Sequence, residues 1–190
     1  MFIRRHQSQC GFSVMEATVV VLVLGIVAAF AAPRIVDGMR EYRLNMAMRQ
    51  VADLVQKVKM QAVADNRKAT LTIDTANRGI GIITYDAGNN VLSTQYAPLP
   101  PGIFFATPAN NVAPMTGAPT ASAISFPAQG SSTTIFQEDF NSKGFPVVAA
   151  GEINALYLTN GRTYRALTLN SVAGLRTFTW QGSSWHDVRR

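Results

Sequence analysis

A nearly uninterrupted apolar run close to the N-terminus limits what this chain can become. The run extends from Phe12 to Ala32, 21 residues in which Glu16 is the one charged side chain. As a helix it would rise about 31 Å, which matches the roughly 30 Å hydrocarbon thickness of a bilayer. Arg4 and Arg5 precede it, and positive charge before a span favours a cytoplasmic N-terminus. The sequence therefore predicts one membrane-inserted helix, with the remainder of the chain outside the cytoplasm.

An ordinary secretory signal is the first alternative, because it also joins a basic segment to an apolar one. Such a signal is cut after its apolar run, where Ala28-Ala29-Phe30-Ala31-Ala32 offers small residues. Two observations favour a retained anchor: the run is long for a signal, and Glu16 places a carboxylate inside it. A charge in a membrane span costs about 2.5–3.5 kcal/mol at the helix centre and less near the interface, so such a residue indicates a function.

The junction at the start of the run has a recognisable pattern. Gly11-Phe12-Ser13-Val14-Met15-Glu16 resembles the type III signal of type IV prepilins and type II secretion pseudopilins. Ser13-Val14-Met15 departs from the family's commoner threonine-leucine-isoleucine but keeps its hydroxyl and apolar character. The resemblance implies that a membrane-bound prepilin peptidase cuts after Gly11 on the cytoplasmic side and N-methylates Phe12. It also implies that Glu16 pairs with the Phe12 ammonium of a neighbouring subunit; the alternative is that Glu16 only reaches back to the membrane interface.

An amphipathic pattern follows Pro33, which itself matches the proline that often marks a kink in pilin helices. Apolar side chains recur there at steps of three and four residues, the spacing of one helix face. They are Leu44, Met48, Val51, Val55, Val58 and Ala62. The spacing predicts a half-buried helix that ends near Asp65-Asn66, and the methionines are interpreted as packing residues. With the membrane span, this predicts a single helix of roughly 80 Å.

Beyond this helix the sequence predicts antiparallel strands. Ala69–Thr75 and Gly79–Tyr85, joined at Ala76-Asn77-Arg78, predict a hairpin, and Asn160-Gly161-Arg162 is a strong turn signal near the C-terminus. Other predicted strands are Val91–Tyr96, Ile103–Ala106, Ala123–Phe126, Thr133–Phe136, Asn154–Thr159, Tyr164–Asn170, Leu175–Trp180 and Ser184–Val188. The predicted fold is α+β and pilin-like: a long N-terminal helix packed on an antiparallel β-sheet domain.

These elements predict three regions. Residues 1–11 are a cleaved leader, 12–33 a transmembrane and assembly helix, and 34–190 a periplasmic domain with its amphipathic helix at 34–66 and its β part at 67–190. Within the β part, residues 87–137 carry no charge and contain seven prolines. This stretch is interpreted as a floppy elaboration rather than as a contact surface between subunits.

Two further segments are similar to the minor subunits of the FimT/GspH type. They are the helix-to-strand passage from Met60 to Leu71 and the segment Phe140-Asn141-Ser142-Lys143-Gly144-Phe145-Pro146. Cys10 is the one cysteine, so the C-terminal disulfide of many major pilins is absent, which favours a minor or secretion-type subunit. The resemblance implies a subunit of a type IV pilus or a type II secretion pseudopilus. Its partners would be prepilin peptidase, other pilin subunits and the inner membrane, and its location the inner membrane or an extracellular filament.

Residues for catalysis are scarce in this sequence. Without the leader, His186 is the one histidine, and its neighbour Asp187 would lie across a strand from it. No metal-ligand motif or phosphate-binding loop occurs, so no enzyme activity, metal or cofactor is predicted.

DNA capture for uptake is the alternative function. Loss of Arg4 and Arg5 leaves 15 basic against 11 acidic residues, a mild excess that permits attraction to nucleic acid. The candidate DNA-binding residues are Arg162, Arg165, Arg176, Arg189 and Arg190.

Overall fold

The computed structural model describes residues 13–109, 112–120, 122–148 and 151–188. The predicted cleavage residues Gly11 and Phe12, and the C-terminal Arg189 and Arg190, lie outside the described residues. The described elements form an α+β fold. In chain order they are α1 (Val14–Ala64), β1 (Ala69–Asp74), β2 (Gly79–Tyr85), β3 (Val91–Pro98), β4 (Phe104–Phe105), β5 (Ile135–Phe140), β6 (Ile153–Thr159), β7 (Tyr164–Asn170), β8 (Leu175–Gln181) and β9 (Ser184–Asp187).

The first part of α1, up to Met39, forms a unit of its own. Ser13 caps it: the Met15 backbone N–H donates to Ser13 Oγ at 3.3 Å, and the Ala17 N–H donates to the Ser13 carbonyl at 3.1 Å. The helix continues through Pro33, so the proline does not end it. Its apolar window is long enough to cross a membrane, and none of that window is buried within the chain.

The part of α1 that begins at Arg40 belongs to the second unit and carries the predicted stripe. All six predicted residues are buried, together with Ala47, which completes the same face. The helix ends at Ala64 because Asn66 takes a left-handed conformation (φ 49°). The N–H groups of Asn66 and Arg67 then donate to the carbonyls of Val63 and Ala62 at 3.1 and 3.0 Å, which is the Schellman arrangement.

Two antiparallel sheets make up the rest of this unit, with strand orders β3-β2-β1-β5 and β4-β6-β7-β8-β9. Both predicted hairpins are confirmed, with Asp74 opposite Gly79 and Thr159 opposite Tyr164. Arg78 and Gly161 supply the positive φ values, 50° and 86°, that these turns require. One apolar cluster joins the α1 stripe to residues from both sheets, so the core lies between the helix and the two sheets.

The structure corrects three predicted strands in the uncharged region. The strand predicted at Ile103–Ala106 is reduced to β4, and that at Thr133–Phe136 begins later and runs on to Phe140. Ala123–Phe126 does not form a full strand and makes one isolated β-bridge, from Ile124 to Leu156. Beside this bridge, the Ser125 N–H donates to the Ala155 carbonyl and the Tyr157 N–H donates to the Ala123 carbonyl. Nearby prolines remove backbone donors, which shortens ladders of this kind.

The interpretation of residues 87–137 as a floppy elaboration is also corrected. Five of its apolar side chains are buried: Leu99, Ile103, Ala118, Ile124 and Phe126. Four of them, all except Ala118, belong to the main core. The lack of charge here reflects apolar side chains that are buried at irregular intervals. Because the intervals match neither a strand nor a helix period, the sequence pattern does not identify these residues as buried.

Glycines in β2 let the edge strand β3 approach closely. Gly81 lies directly opposite Tyr96. A Cβ at Gly81 would stand 2.5 Å from the Gln95 carbonyl oxygen and 2.9 Å from Tyr96 Cδ1, whereas at Gly79 its nearest atom would be Tyr96 Cδ1 at 3.7 Å. Gly81 therefore provides the space that the neighbouring backbone and the tyrosine ring occupy.

We expect Gly81→Ala to destabilise the protein by about 1–3 kcal/mol, because the added methyl group must push β3 away from β2. Gly79→Ala is the matched control, since its methyl group meets only ordinary contacts, and its effect should stay within about 0.5 kcal/mol. Denaturant unfolding of both variants, followed by circular dichroism, measures the difference. Equal stabilities would mean that the β2–β3 contact is not close in solution.

Candidate functional site

The three described arginines that the sequence predicts to bind DNA lie at different places in the second unit: on β7, at the turn between β6 and β7, and on β8. Arg165, on β7, is the most enclosed, with 16% of its side chain exposed. Its Nη2 donates to Glu41 Oε1 at 2.6 Å and its Nη1 to Thr179 Oγ1 at 2.7 Å. Thr163 Oγ1 donates to the other Glu41 oxygen at 2.7 Å. Arg165 therefore links α1 to β7 and β8, and its first role is structural.

The pairing also sets the charge of Glu41. Partial burial raises the pKa of this carboxyl, but the hydrogen bonds from Arg165 and Thr163 and the positive charge of Arg165 outweigh it. The net result is a pKa below the ordinary value of 4.5. Glu41 thus stays ionised at neutral pH and holds the guanidinium in place.

Arg162 lies at the turn between β6 and β7, in an open cleft of about 390 Å³. Two arginines of α1, Arg40 and Arg43, line the same cleft, together with Pro101 to Phe104. Arginines of α1 and of the β6–β7 turn thus line one cleft.

Arg176 lies on β8 in a second cleft of about 700 Å³. Arg49 of α1 and Arg165 line the same cleft, whose apolar floor includes Met48 and Leu175. Asp187 is the acidic residue on its wall. The walls therefore carry more positive than negative charge, an arrangement that attracts anions.

The structure brings Arg165 and Arg176 together and places Arg162 in the other cleft. Sequence reasoning missed Arg40, Arg43 and Arg49 as cleft residues. The available signal was their position on α1, three and six residues apart and away from the buried stripe. That signal shows exposure but does not show which strand they face.

The histidine considered for catalysis lies at the sheet edge. His186 Nε2 is 3.2 Å from Ser184 Oγ on the same exposed strand, and His186 pairs with Thr179 while Asp187 pairs with Phe178. Within the described ranges, no group of three or more histidine, cysteine, aspartate and glutamate side chains is arranged to hold a metal ion.

We expect Glu41→Gln to lower stability at pH 7 by about 1 kcal/mol or less, because the ion pair is partly exposed and screened by solvent. Glu41 has a lowered pKa in the folded state, so its contribution is present above about pH 4.5 and is lost as the pH falls through the folded value. The difference in the free energy of unfolding between wild type and variant should therefore shrink as the pH falls from about 5 to about 2.5. Denaturant unfolding at several pH values measures it. Asp53→Asn, an exposed acid on the same helix, is the control, and the same pH profile for all three proteins would contradict the structural role.

Comparison with known proteins yields one solved structure to report. No family model matches the chain, and no curated relative matches it. A solved structure similar to it is that of the type IV minor pilin FimU of Pseudomonas aeruginosa strain PAO1, at 14% identity. The alignment covers 77% of this chain and 94% of that chain, with a TM-score of 0.46. A similarity of this size does not assign the chain to a family.

Proposed function

We propose that this chain is a minor pilin or pseudopilin, a structural subunit processed by prepilin peptidase and assembled into a type IV pilus or a type II secretion pseudopilus. The observation that carries the proposal is the double character of α1. One continuous helix begins at Val14, just after a prepilin-like junction, is apolar and largely exposed up to Ala32, and buries a stripe from Leu44 onward. A helix of this kind both inserts in a membrane and anchors a folded domain.

The exposed part of α1 supports assembly as well as anchoring. Large apolar side chains such as Leu22, Leu24 and Phe30 are 64%, 61% and 76% exposed. Surfaces of this kind are stable only against lipid or against other protein chains. Because lipid and a neighbouring helix are equally apolar, the same surface serves the membrane-bound subunit and the filament.

Glu16 gives the assembled state its own interaction. It stands in the first turn of α1, inside the apolar segment. The ammonium group of a processed Phe12 on a neighbouring subunit would neutralise it and remove the cost of a lone charge in lipid. Pairing between subunits rather than within one subunit then favours a stagger between adjacent helices.

We expect processing to remove 11 of the 190 residues, leaving a chain of 179 that begins with N-methylated Phe12. Gly11→Val should block the cut, because a branched side chain crowds the peptidase at the scissile bond. The uncut subunit should then remain in the membrane and be absent from filaments. Intact-mass measurement on protein from the native membrane decides it, and a mature chain that starts beyond Ala32 would overturn the proposal.

Glu16→Ala separates processing from assembly. It should be cut and inserted normally, since it removes a charge from the span, yet its recovery in filaments should fall severalfold because the neighbour's Phe12 loses its partner. Normal incorporation of this variant would mean that Glu16 only reaches the membrane interface.

DNA binding is the second candidate function, favoured by the cleft that Arg49, Arg165 and Arg176 share. Phosphate oxygens suit such walls, and Arg189 and Arg190 directly follow the cleft residue Val188 in sequence. The expected binding is weak and independent of base sequence.

Its test is a gel-shift titration of the mature full chain in neutral detergent at several salt concentrations. Affinity should fall with a log–log slope of roughly −0.9 for each phosphate contact, and Arg49→Ala with Arg176→Ala should flatten that slope. Arg67→Ala, which removes the same charge outside the cleft, is the control. Arg165 is left intact because its loss also breaks the Glu41 ion pair. Absence of a shift at tens of micromolar protein would leave a purely structural subunit.

A further inference from the structure

A carboxyl group lies inside the protein where the two sheets meet. Glu138, on β5, is 1% exposed and pairs with Leu71 across the ladder, so its side chain points to the core face of its sheet. Asn154 Nδ2, on β6 of the other sheet, donates to Glu138 Oε2 at 2.6 Å. This hydrogen bond therefore joins one sheet to the other.

The pair is incompletely satisfied. Glu138 Oε1 is buried and has no hydrogen-bond partner among the described residues. A buried polar atom without a partner costs free energy, and it costs more when the group carries charge. The site thus tolerates a neutral carboxyl group better than a carboxylate.

Within the part of the chain that the structure describes, the groups that face Glu138 supply no positive charge. On its own strand, Asp139 is the next residue, and Lys68 is occupied with Asp139 at 3.3 Å. On β6 the facing group is the neutral amide of Asn154, on β1 it is Leu71, and the buried residues of α1 are all apolar.

Burial and the negative charge of Asp139 raise the pKa of Glu138 to about 7, and the hydrogen bond from Asn154, together with the nearby Val147 backbone N–H that donates to the Asp139 carbonyl, offsets only part of that rise. Glu138 therefore changes charge near neutral pH rather than near 4.5, where an exposed glutamate does.

We propose that the seam between the two sheets at Glu138 and Asn154 is a pH-dependent latch: it stays closed to water when Glu138 is protonated and opens to water when Glu138 ionises, although the Asn154 amide still donates to the carboxylate. An ionised Glu138 has one donor from the other sheet and no cation, so water must enter the seam to solvate it. The first backbone to loosen is the β5 edge, where the Val147 N–H donates to the Asp139 carbonyl at 2.8 Å, together with the start of β6. The external pH thereby sets the rigidity of the folded domain.

The direction of the effect follows from proton linkage. Because the folded pKa is raised, the native state keeps a proton that the unfolded chain releases above about pH 4.5. Glu138 therefore contributes fully below that value, and its contribution is lost as the pH rises through about 7.

The test compares wild type with Glu138→Gln in the mature full chain in neutral detergent, using hydrogen exchange to obtain the opening equilibrium of β5 and β6 amides. Relative to Glu138→Gln, the wild-type opening constant should rise on the order of 10²-fold between about pH 4.5 and pH 9. Glu152→Gln makes the same chemical change at an exposed position two residues before Asn154, and it should follow wild type. An identical pH profile in wild type and Glu138→Gln would overturn the latch.

A direct titration keeps the proposal testable even if Glu138→Gln folds poorly. The carboxyl carbon-13 resonance of Glu138 should shift with a midpoint near neutral pH. Asn154→Ala should move that midpoint upward, because it removes a hydrogen bond that favours the carboxylate. A midpoint below about pH 5 in wild type, or an unchanged midpoint in Asn154→Ala, would show that Glu138 is solvated and that no latch exists.

Discussion

The apolar stripe of α1 is the contact on which the rest of the second unit depends. Leu44, Val55 and Val58 are completely buried and belong to one cluster with residues of both sheets, among them Leu71 and Leu156. Full burial of side chains of this size stabilises by about 1.5–3 kcal/mol each. The helix covers the inner faces of the two sheets, so the helix and both sheets share this main cluster.

Polar contacts then fix how these layers meet, in two physically different ways. Glu41 and Arg165 join α1 to β7 as a matched ion pair, so their charges persist at neutral pH. Glu138 and Asn154 join the two sheets as an acid and an amide, and no cation compensates the acid. The contact between Glu41 and Arg165 is insensitive to pH in the neutral range. The contact between Glu138 and Asn154 changes as the pH passes through the pKa of Glu138, about 7.

A structural subunit also needs surfaces that remain unsatisfied within one chain. Up to Met39, α1 exposes apolar side chains that lipid or neighbouring helices would cover. The second cleft, lined by the exposed Arg49 and Arg176, presents charge instead. The proposed functions use these separately: assembly through the apolar surface, and DNA binding through the charged one.

Local patterns alone predicted much of the fold. The three- and four-residue spacing identified every residue of the stripe except Ala47, and the turns at Ala76-Asn77-Arg78 and Asn160-Gly161-Arg162 were found because turn-favouring Asn and Gly separate β-rich runs. Such signals are carried within a few positions of the chain, so no tertiary information is needed. The same holds for the apolar run that contains Glu16.

Tertiary structure decided what depends on distant partners. The strands predicted at Ile103–Ala106 and Ala123–Phe126 did not reveal which of their side chains are buried, so only the fold showed that Ile103 and Phe126 enter the core. Arg165 and Arg176 look alike in sequence, yet Arg165 is paired with Glu41, 124 residues away, and Arg176 is exposed.

The sequence does not predict that Glu138 is buried, because its burial and its hydrogen bond to Asn154 arise only when the two sheets meet. The sequence by itself determined the long apolar segment of α1, the buried helix face and the turns, because each is a local preference. The pairing of charges and the burial of polar groups needed the folded chain, because each depends on which distant segment lies opposite.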